Sequence, residues 1–218
     1  IWGTMSAMVM KDPISIAEGL FEYRWFSSYL ALPAFADRNN LGLRGPHVTM
    51  ANELFLPVFR YGADMIATLL MADERLGNNP KIREKLLLFD EMTMSQMMAG
   101  FPNLEGVPYQ LMPVFLVSEI DQLICIPYID AVESFGLPSD TCPVPTSECG
   151  AAIMDALPHC GLGFISTSTP CDGSDMATSY QDRRFKMPTY PLTLPVRYDD
   201  EDTVDCGAED MKRCIKWV

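Results

Sequence analysis

Cysteines are the residues of this sequence best placed to do chemistry. There are seven: Cys125, Cys142, Cys149, Cys160, Cys171, Cys206 and Cys214. A thiolate is a nucleophile and a soft metal ligand, whereas a buried thiol is a small hydrophobe. No Cys-x-x-Cys pair occurs, so zinc ribbons and ferredoxin-type patterns find no support. Cys142 and Cys171 stand apart from the rest. Cys142 follows the loop Gly136-Leu-Pro-Ser-Asp140 and precedes an expected helix. Cys171 lies in Ser168-Thr-Pro-Cys-Asp-Gly173, after an expected strand and before another helix. Pro143 and Pro170 stiffen the chain beside each sulfur, and Gly173 lets the backbone pass close to a bulky group. In open α/β sheets, ligands bind beyond the carboxyl ends of strands. Helix N-termini there point N–H groups outward and favour anions such as thiolates or a sulfide-rich cluster. Spacing alone leaves Cys142 and Cys171 open between ligand and core thiol. Cys125, Cys160, Cys206 and Cys214 read as core, as does Cys149, although it sits in the helix after Cys142.

Other constellations are thinner. His47 and His159 are the only histidines, and neither has metal-ligand spacing. A Cys–His nucleophilic pair with Cys171 as nucleophile is conceivable, but nothing favours it. Ser166-Thr-Ser-Thr169 suits either a phosphate or substrate oxygen, or a polar strand end. Gly161-Leu-Gly163 opens a strand instead of following one, so it is no dinucleotide fingerprint.

The elements that must position these residues follow from punctuation and periodicity. From Asp12 to about Met98 the chain reads mainly as helix. Ser15-Ile-Ala-Glu18 has the form of a capping box, and a second helix covers Met50 to Ala72. Asn39 to Gly42, Arg44 to Pro46 and Gly77 to Pro80 are turns. After Phe101-Pro-Asn103 the texture changes. Ile126 to Phe135 is a short helix, and Thr146 to Leu157 is a helix capped by Thr146 or Ser147. Gly161 to Ser168 is a buried strand. Asp172 or Ser174 caps a helix to Phe185, Thr189 to Val196 is a strand, and Asp199 to Asp202 opens the last helix on its positive end. The alternation predicts a parallel α/β sheet flanked by helices over residues 101–218, preceded by a mainly helical region over 1–100.

Composition bounds the function. The chain has 218 residues, 48 % hydrophobic and 21 % charged, enough for a core, and a formal net charge of -13. Such a surface repels phosphate backbones, so no nucleic-acid partner is expected. Arg183, Arg184 and Lys186, and then Lys212, Arg213 and Lys216, read as solvated helix faces. No apolar run approaches the ~20 residues of a membrane span, and Ile1 to Met10 lacks the basic start of a signal peptide. An odd cysteine count without such a signal fits a reducing, cytoplasmic compartment. The first residue is Ile1, and the last three, Lys216-Trp-Val218, fall within an amphipathic helix. Both ends are expected to be cuts in a longer subunit.

Gly136-Leu-Pro-Ser-Asp-Thr-Cys142-Pro, Glu148-Cys-Gly150 and Ile165-Ser-Thr-Ser-Thr-Pro-Cys171-Asp-Gly-Ser174 together resemble the 2-hydroxyacyl-CoA dehydratase and benzoyl-CoA reductase family. Tyr180-Gln-Asp-Arg-Arg-Phe185, Pro188-Thr-Tyr-Pro191 and Pro195-Val-Arg-Tyr198 look like its next strand and loop. Phe101-Pro-Asn103 and Ser118-Glu-Ile-Asp-Gln122 look more like the dehydratase subunits than the reductases. The resemblance is specific over about residues 100–218. It implies Rossmann-like α/β domains and a [4Fe-4S] cluster held by three cysteines, with Cys142 and Cys171 matching the first two. The third lies in a second α/β domain beyond this chain, and Cys206 and Cys214 do not match it. The implied reaction removes water from a (R)-2-hydroxyacyl-CoA to give an enoyl-CoA. A separate ATP-hydrolysing iron–sulfur activator donates one electron, forming a ketyl radical that expels hydroxide. A homologous second subunit is the other implied partner. Ser168 and Thr169 are candidates to hydrogen-bond near the cluster. Glu119, Glu148 and, more weakly, Glu53 are proton-transfer candidates, although a polar rim role suits Glu119 and Glu148 better. The resemblance also admits reduction of an aromatic thioester, or a homologue serving in electron relay or assembly.

Overall fold

The structure, a computed structural model, describes residues 2–23, 26, 46–90, 97–109, 124–138, 140–167, 172–195 and 199–218. Three helices come first: α1 (Trp2–Lys11), α2 (Pro13–Glu22) and α3 (Pro46–Ala72). The start of α2 corrects the expected capping box. Asp12 is the cap: its carboxylate accepts the Ser15 N–H at 3.2 Å and the Ser15 hydroxyl at 2.8 Å. Pro13 occupies the first turn, where its missing N–H costs nothing. Ser15 is therefore inside the helix and buried. Gly19 lets α2 press against α3, since a Cβ there would meet a Leu70 methyl at 2.4 Å. The Gly77–Pro80 turn forms as expected, and Asn79 caps a single helical turn, α4 (Pro80–Arg83).

Beyond that turn the structure departs from the expected helix. Leu86–Phe89 is a strand, β1, with all four residues buried. Leucine is a good helix former, and a four-residue apolar run carries no periodicity to separate strand from helix. Burial on both faces decides the matter, as in parallel sheets generally. A second short strand, β2 (Glu105–Pro108), also lacked a legible pattern. The rest follows the expected order: α5 (Ile126–Ser134), α6 (Pro143–Ile153), β3 (Phe164–Thr167), α7 (Asp172–Phe185), β4 (Thr189–Leu192) and α8 (Glu201–Trp217).

The four strands form one all-parallel sheet in the order β2-β1-β3-β4. Side chains alternate cleanly between its faces. Leu86, Leu88 and Phe164 point to one face, where they share a core with Met8, Ile16, Phe59, Ile66, Leu70, Tyr128 and Ala151. Leu87, Phe89, Ile165 and Leu192 point to the other and pack with Met97, Phe101 and Cys214. The N-terminal helices thus cover the sheet directly, and the sheet begins inside the stretch expected to be helical. A polar tie reinforces this junction. Tyr23 donates to Asp73, and Arg75 donates to the Tyr23 hydroxyl, to the Leu157 carbonyl at 2.8 Å and to the Asp155 carbonyl at 3.2 Å. Among the described residues, no helix is long and apolar enough to cross a membrane.

Candidate functional site

The helices on either side of β3 fix where Cys142 lies. Helix α6 starts three residues earlier than its sequence indicates, at Pro143, with Cys142 as its N-terminal cap residue. Thr146 and Ser147, expected as caps, are instead fully buried inside it. Pro143 and Pro145 both fall in the first turn, where prolines are tolerated because those N–H groups have no helical acceptor. The Cys142 carbonyl accepts the Thr146 hydroxyl at 2.9 Å and the Thr146 N–H at 3.3 Å. Its side chain is exposed.

Helix α6 packs between α5 and α7. Gly150 makes the closest approach: a Cβ there would lie 1.9 Å from the Tyr128 carbonyl oxygen of α5. Against α7, Cys149 packs on Ala177. At their carboxyl ends, Asp155 pairs with Arg184 at 3.6 Å, and the His159 ring lies 4.2 Å from that of Phe185. The two helices therefore run side by side in the same direction. Because α7 follows β3 closely, both helix N-termini lie at the carboxyl edge of the sheet. That is the edge where parallel α/β sheets bind ligands. Cys142 is on it, and so is Asp172, the residue directly after Cys171.

Cys171, Ser168, Thr169 and Glu119 lie outside the described residues. Glu148 is described, and it is not on a rim. It is 1 % exposed, and Gln181 of α7 donates Nε2–H to its Oε1 at 2.6 Å. The buried Ser147 Oγ, Thr178 Oγ1 and Gln181 Oε1 have no hydrogen-bond partner among the described residues. Glu53 is exposed on α3. Ser166 and Thr167 are buried in β3, which favours the strand-end reading for that half of the Ser-Thr run.

The remaining cysteines separate by environment. Cys125, Cys149, Cys160 and Cys214 are buried. Burial, followed by the charge of Glu148, pushes the Cys149 thiol up to about 11. Burial and then Asp210 push Cys214 up to about 12, and burial holds Cys160 well above the ordinary thiol range. Protonated, apolar-packed thiols of this kind are poor ligands. Cys206 is exposed, but on α8, across the sheet from α6. Cys142 is thus the described cysteine that is both exposed and at the carboxyl edge. The described residues contain no group of three or more His, Cys, Asp or Glu side chains that could hold a metal ion.

Sequence reading missed one residue at this edge. Asp90, immediately after β1, is 2 % exposed and bonds to Thr167 at the end of β3. Its signal was faint: a lone acid closing the apolar run Leu86–Phe89, with its partner far along the chain.

The described residues form a parallel α/β fold, with Cys142 and Asp90 at the carboxyl edge of its sheet. Comparison with protein-family models, with curated proteins and with solved structures finds no match to the chain.

Proposed function

We propose that the chain is an iron–sulfur subunit of an ATP-activator-dependent (R)-2-hydroxyacyl-CoA dehydratase. In this reading it acts with a homologous second subunit and a separate ATP-hydrolysing iron–sulfur activator. The observation that carries the reading is the placement of Cys142: an exposed thiol on the N-cap residue of a helix at the carboxyl edge of a parallel sheet, while most other described thiols are in the core. Cys142 would hold one iron from its exposed position at the start of α6. Cys171, next to the first residue of the parallel helix α7, is the second proposed ligand, and a third comes from outside this chain. When bound, a [4Fe-4S] cluster supplies one-electron transfer at low potential. Glu148 lies six residues further along α6, about 9 Å at helical rise. Its buried Oε1, braced by Gln181, is a candidate to hold or pass a proton, in the role also proposed for Glu119. Ser168 is a candidate hydrogen-bond donor beside the cluster.

Iron and sulfide analysis of the complete, anaerobically prepared subunit tests this reading. About four irons per subunit, together with activator- and ATP-dependent turnover of a (R)-2-hydroxyacyl-CoA, are expected. Cys142→Ser should strip or destabilise the cluster. An intact cluster with no turnover of that substrate refutes the dehydratase assignment. Reduction of an aromatic thioester instead would place the chain on the reductase branch. Unchanged iron content in Cys142→Ser refutes the ligand assignment.

A further inference from the structure

Helix α7 turns a polar stripe towards the edge strand beside it. Asp175, Thr178, Ser179 and Asp182 have the i, i+3, i+4, i+7 spacing that shares one helix face. On a helix that crosses between two parallel strands, the face towards the sheet is ordinarily apolar. Opposite the stripe, Ser166 of β3 lies in register with Pro191 of β4, and Thr189 and Thr193 flank Pro191 at alternate positions of the edge strand. These residues line an open groove of about 430 Å³. No Lys, Arg or His is among its lining residues. Thr178 points to a ligand independently of the two acids. It is 4 % exposed, and its hydroxyl has no hydrogen-bond partner among the described residues. A helical threonine can return its hydroxyl to a carbonyl one turn back, yet this one does not. A buried hydroxyl left in that state destabilises the fold.

We propose that this groove binds a linear aliphatic diamine in its doubly protonated form, one ammonium group at Asp175 and the other at Asp182. The two aspartates are about 10 Å apart along the helix axis. Metal–oxygen bonds of about 2.0–2.6 Å cannot bring both carboxylates onto one ion. Two ammonium–carboxylate bonds of about 2.8 Å take up about half of the span, which leaves room for a chain of about four carbons between the nitrogens. Each ammonium group has three donors, so it needs acceptors besides the carboxylate. Thr178 follows Asp175 by one turn and offers its hydroxyl oxygen there. At the other end α7 runs down towards the start of β4, which brings Asp182 to the side of Thr189. The Thr189 hydroxyl donates to the Met187 carbonyl at 3.2 Å, leaving its oxygen to accept. The formal net charge of -13 draws a dication towards such a groove and repels anions. The proposal stands apart from the dehydratase reading, because no lining residue is a proposed cluster ligand.

Isothermal titration calorimetry of the full chain tests it, with putrescine, butylamine and magnesium chloride as probes at equal ionic strength and pH ~7, where both amines are protonated. Saturable binding of putrescine is expected, about tenfold or more tighter than that of butylamine, which carries a single ammonium group. Magnesium is expected not to displace it. Asp175→Asn and Asp182→Asn should each weaken putrescine to about the level of butylamine. Asp182 is exposed, so its replacement leaves the fold intact. Thr178→Val keeps the side-chain shape and removes the unsatisfied hydroxyl. It should weaken putrescine several-fold while leaving the melting temperature unchanged or raised, and Thr178→Ser should restore binding. A merely structural role for Thr178 moves the melting temperature and not the affinity. Putrescine that fails to bind, binds no better than butylamine, or is displaced equally by magnesium overturns the proposal, since the groove then holds only ordinary counterions. Wild-type affinity in Asp182→Asn overturns it as well.

Discussion

Replacing Gly150 by alanine should reverse the usual sign of a helix substitution. Inside a helix, Gly→Ala ordinarily stabilises by about 1 kcal/mol, through lower chain entropy in the unfolded state and better burial of the backbone. At Gly150 the added methyl would lie 1.9 Å from the Tyr128 carbonyl oxygen, and 2.5 Å from its carbon. The obstacle is backbone in α5, so no rotamer change can clear it. The helices must separate by more than about 1 Å to reach ordinary contact, straining a fully packed interface. Overpacking of this kind costs about 1–3 kcal/mol, and an immovable carbonyl places this case near the top of that range. After subtracting the propensity gain, the net loss is about 2 kcal/mol. For a chain of this size that corresponds to a fall of about 4–8 °C in melting temperature. Calorimetry and urea titration of Gly150→Ala against wild type measure it. Gly3→Ala is the control: Gly3 lies in α1 with no heavy atom within 4 Å of the added Cβ, so the change is neutral or stabilising. A Gly150→Ala protein as stable as wild type, with an unchanged urea slope, refutes the close approach of α5 and α6.

Two further outcomes follow from the thiols. In native protein at pH ~8, iodoacetamide should modify Cys142 and Cys206, while Cys125, Cys149, Cys160 and Cys214 react only on unfolding. Mass spectrometry of the peptides reads this directly, and rapid native labelling of Cys149 or Cys214 contradicts the packing. Stability should also depend on alkaline pH. Unfolded thiols ionise near the ordinary value of 9.0, but the folded Cys149 and Cys214 ionise at about 11 and about 12. The unfolded chain loses its protons first, so their contribution is complete below pH ~9 and is lost as pH rises towards those values. The buried Tyr23 and Tyr109 hydroxyls, both raised first by burial, act in the same direction. Urea midpoints between pH 8 and 10.5 should fall steadily, and more gently in Cys214→Ala; a flat profile refutes the assignment.

What the sequence made legible was whatever its punctuation marks. Gly136 to Asp140, Gly161 to Gly163 and Pro188 bracket α6, β3 and β4, and those elements appeared near their expected places. The parallel sheet followed from their alternation. Leu86–Phe89 was illegible because four leucine-rich residues satisfy either period, and only their neighbours on both sides select the strand. The start of α6 was misplaced because Pro143 and Pro145 look like loop residues, although a first helical turn accepts them. Glu148 was read towards a rim because a carboxylate usually seeks water, and its partner Gln181 belongs to the next helix. The place of Cys142 just before a helix was legible from the loop that leads into it. Asp90 was not, because its meaning depends on Thr167, which only the closed sheet brings to it.

The central position of β1 has a consequence for how the chain is made. β1 leaves the ribosome with two neighbours to find. β2 follows within about twenty residues, but β3 comes only after α5 and α6 have been synthesised. At ordinary elongation rates of about 5–20 residues per second, β1 waits several seconds with one edge unpaired. During that interval Leu86-Leu-Leu-Phe89, uncharged and apolar on both faces, is a stretch prone to aggregate. The charged residues immediately before it, Lys81, Arg83, Glu84 and Lys85, stand where gatekeeping charges protect such a segment during its wait.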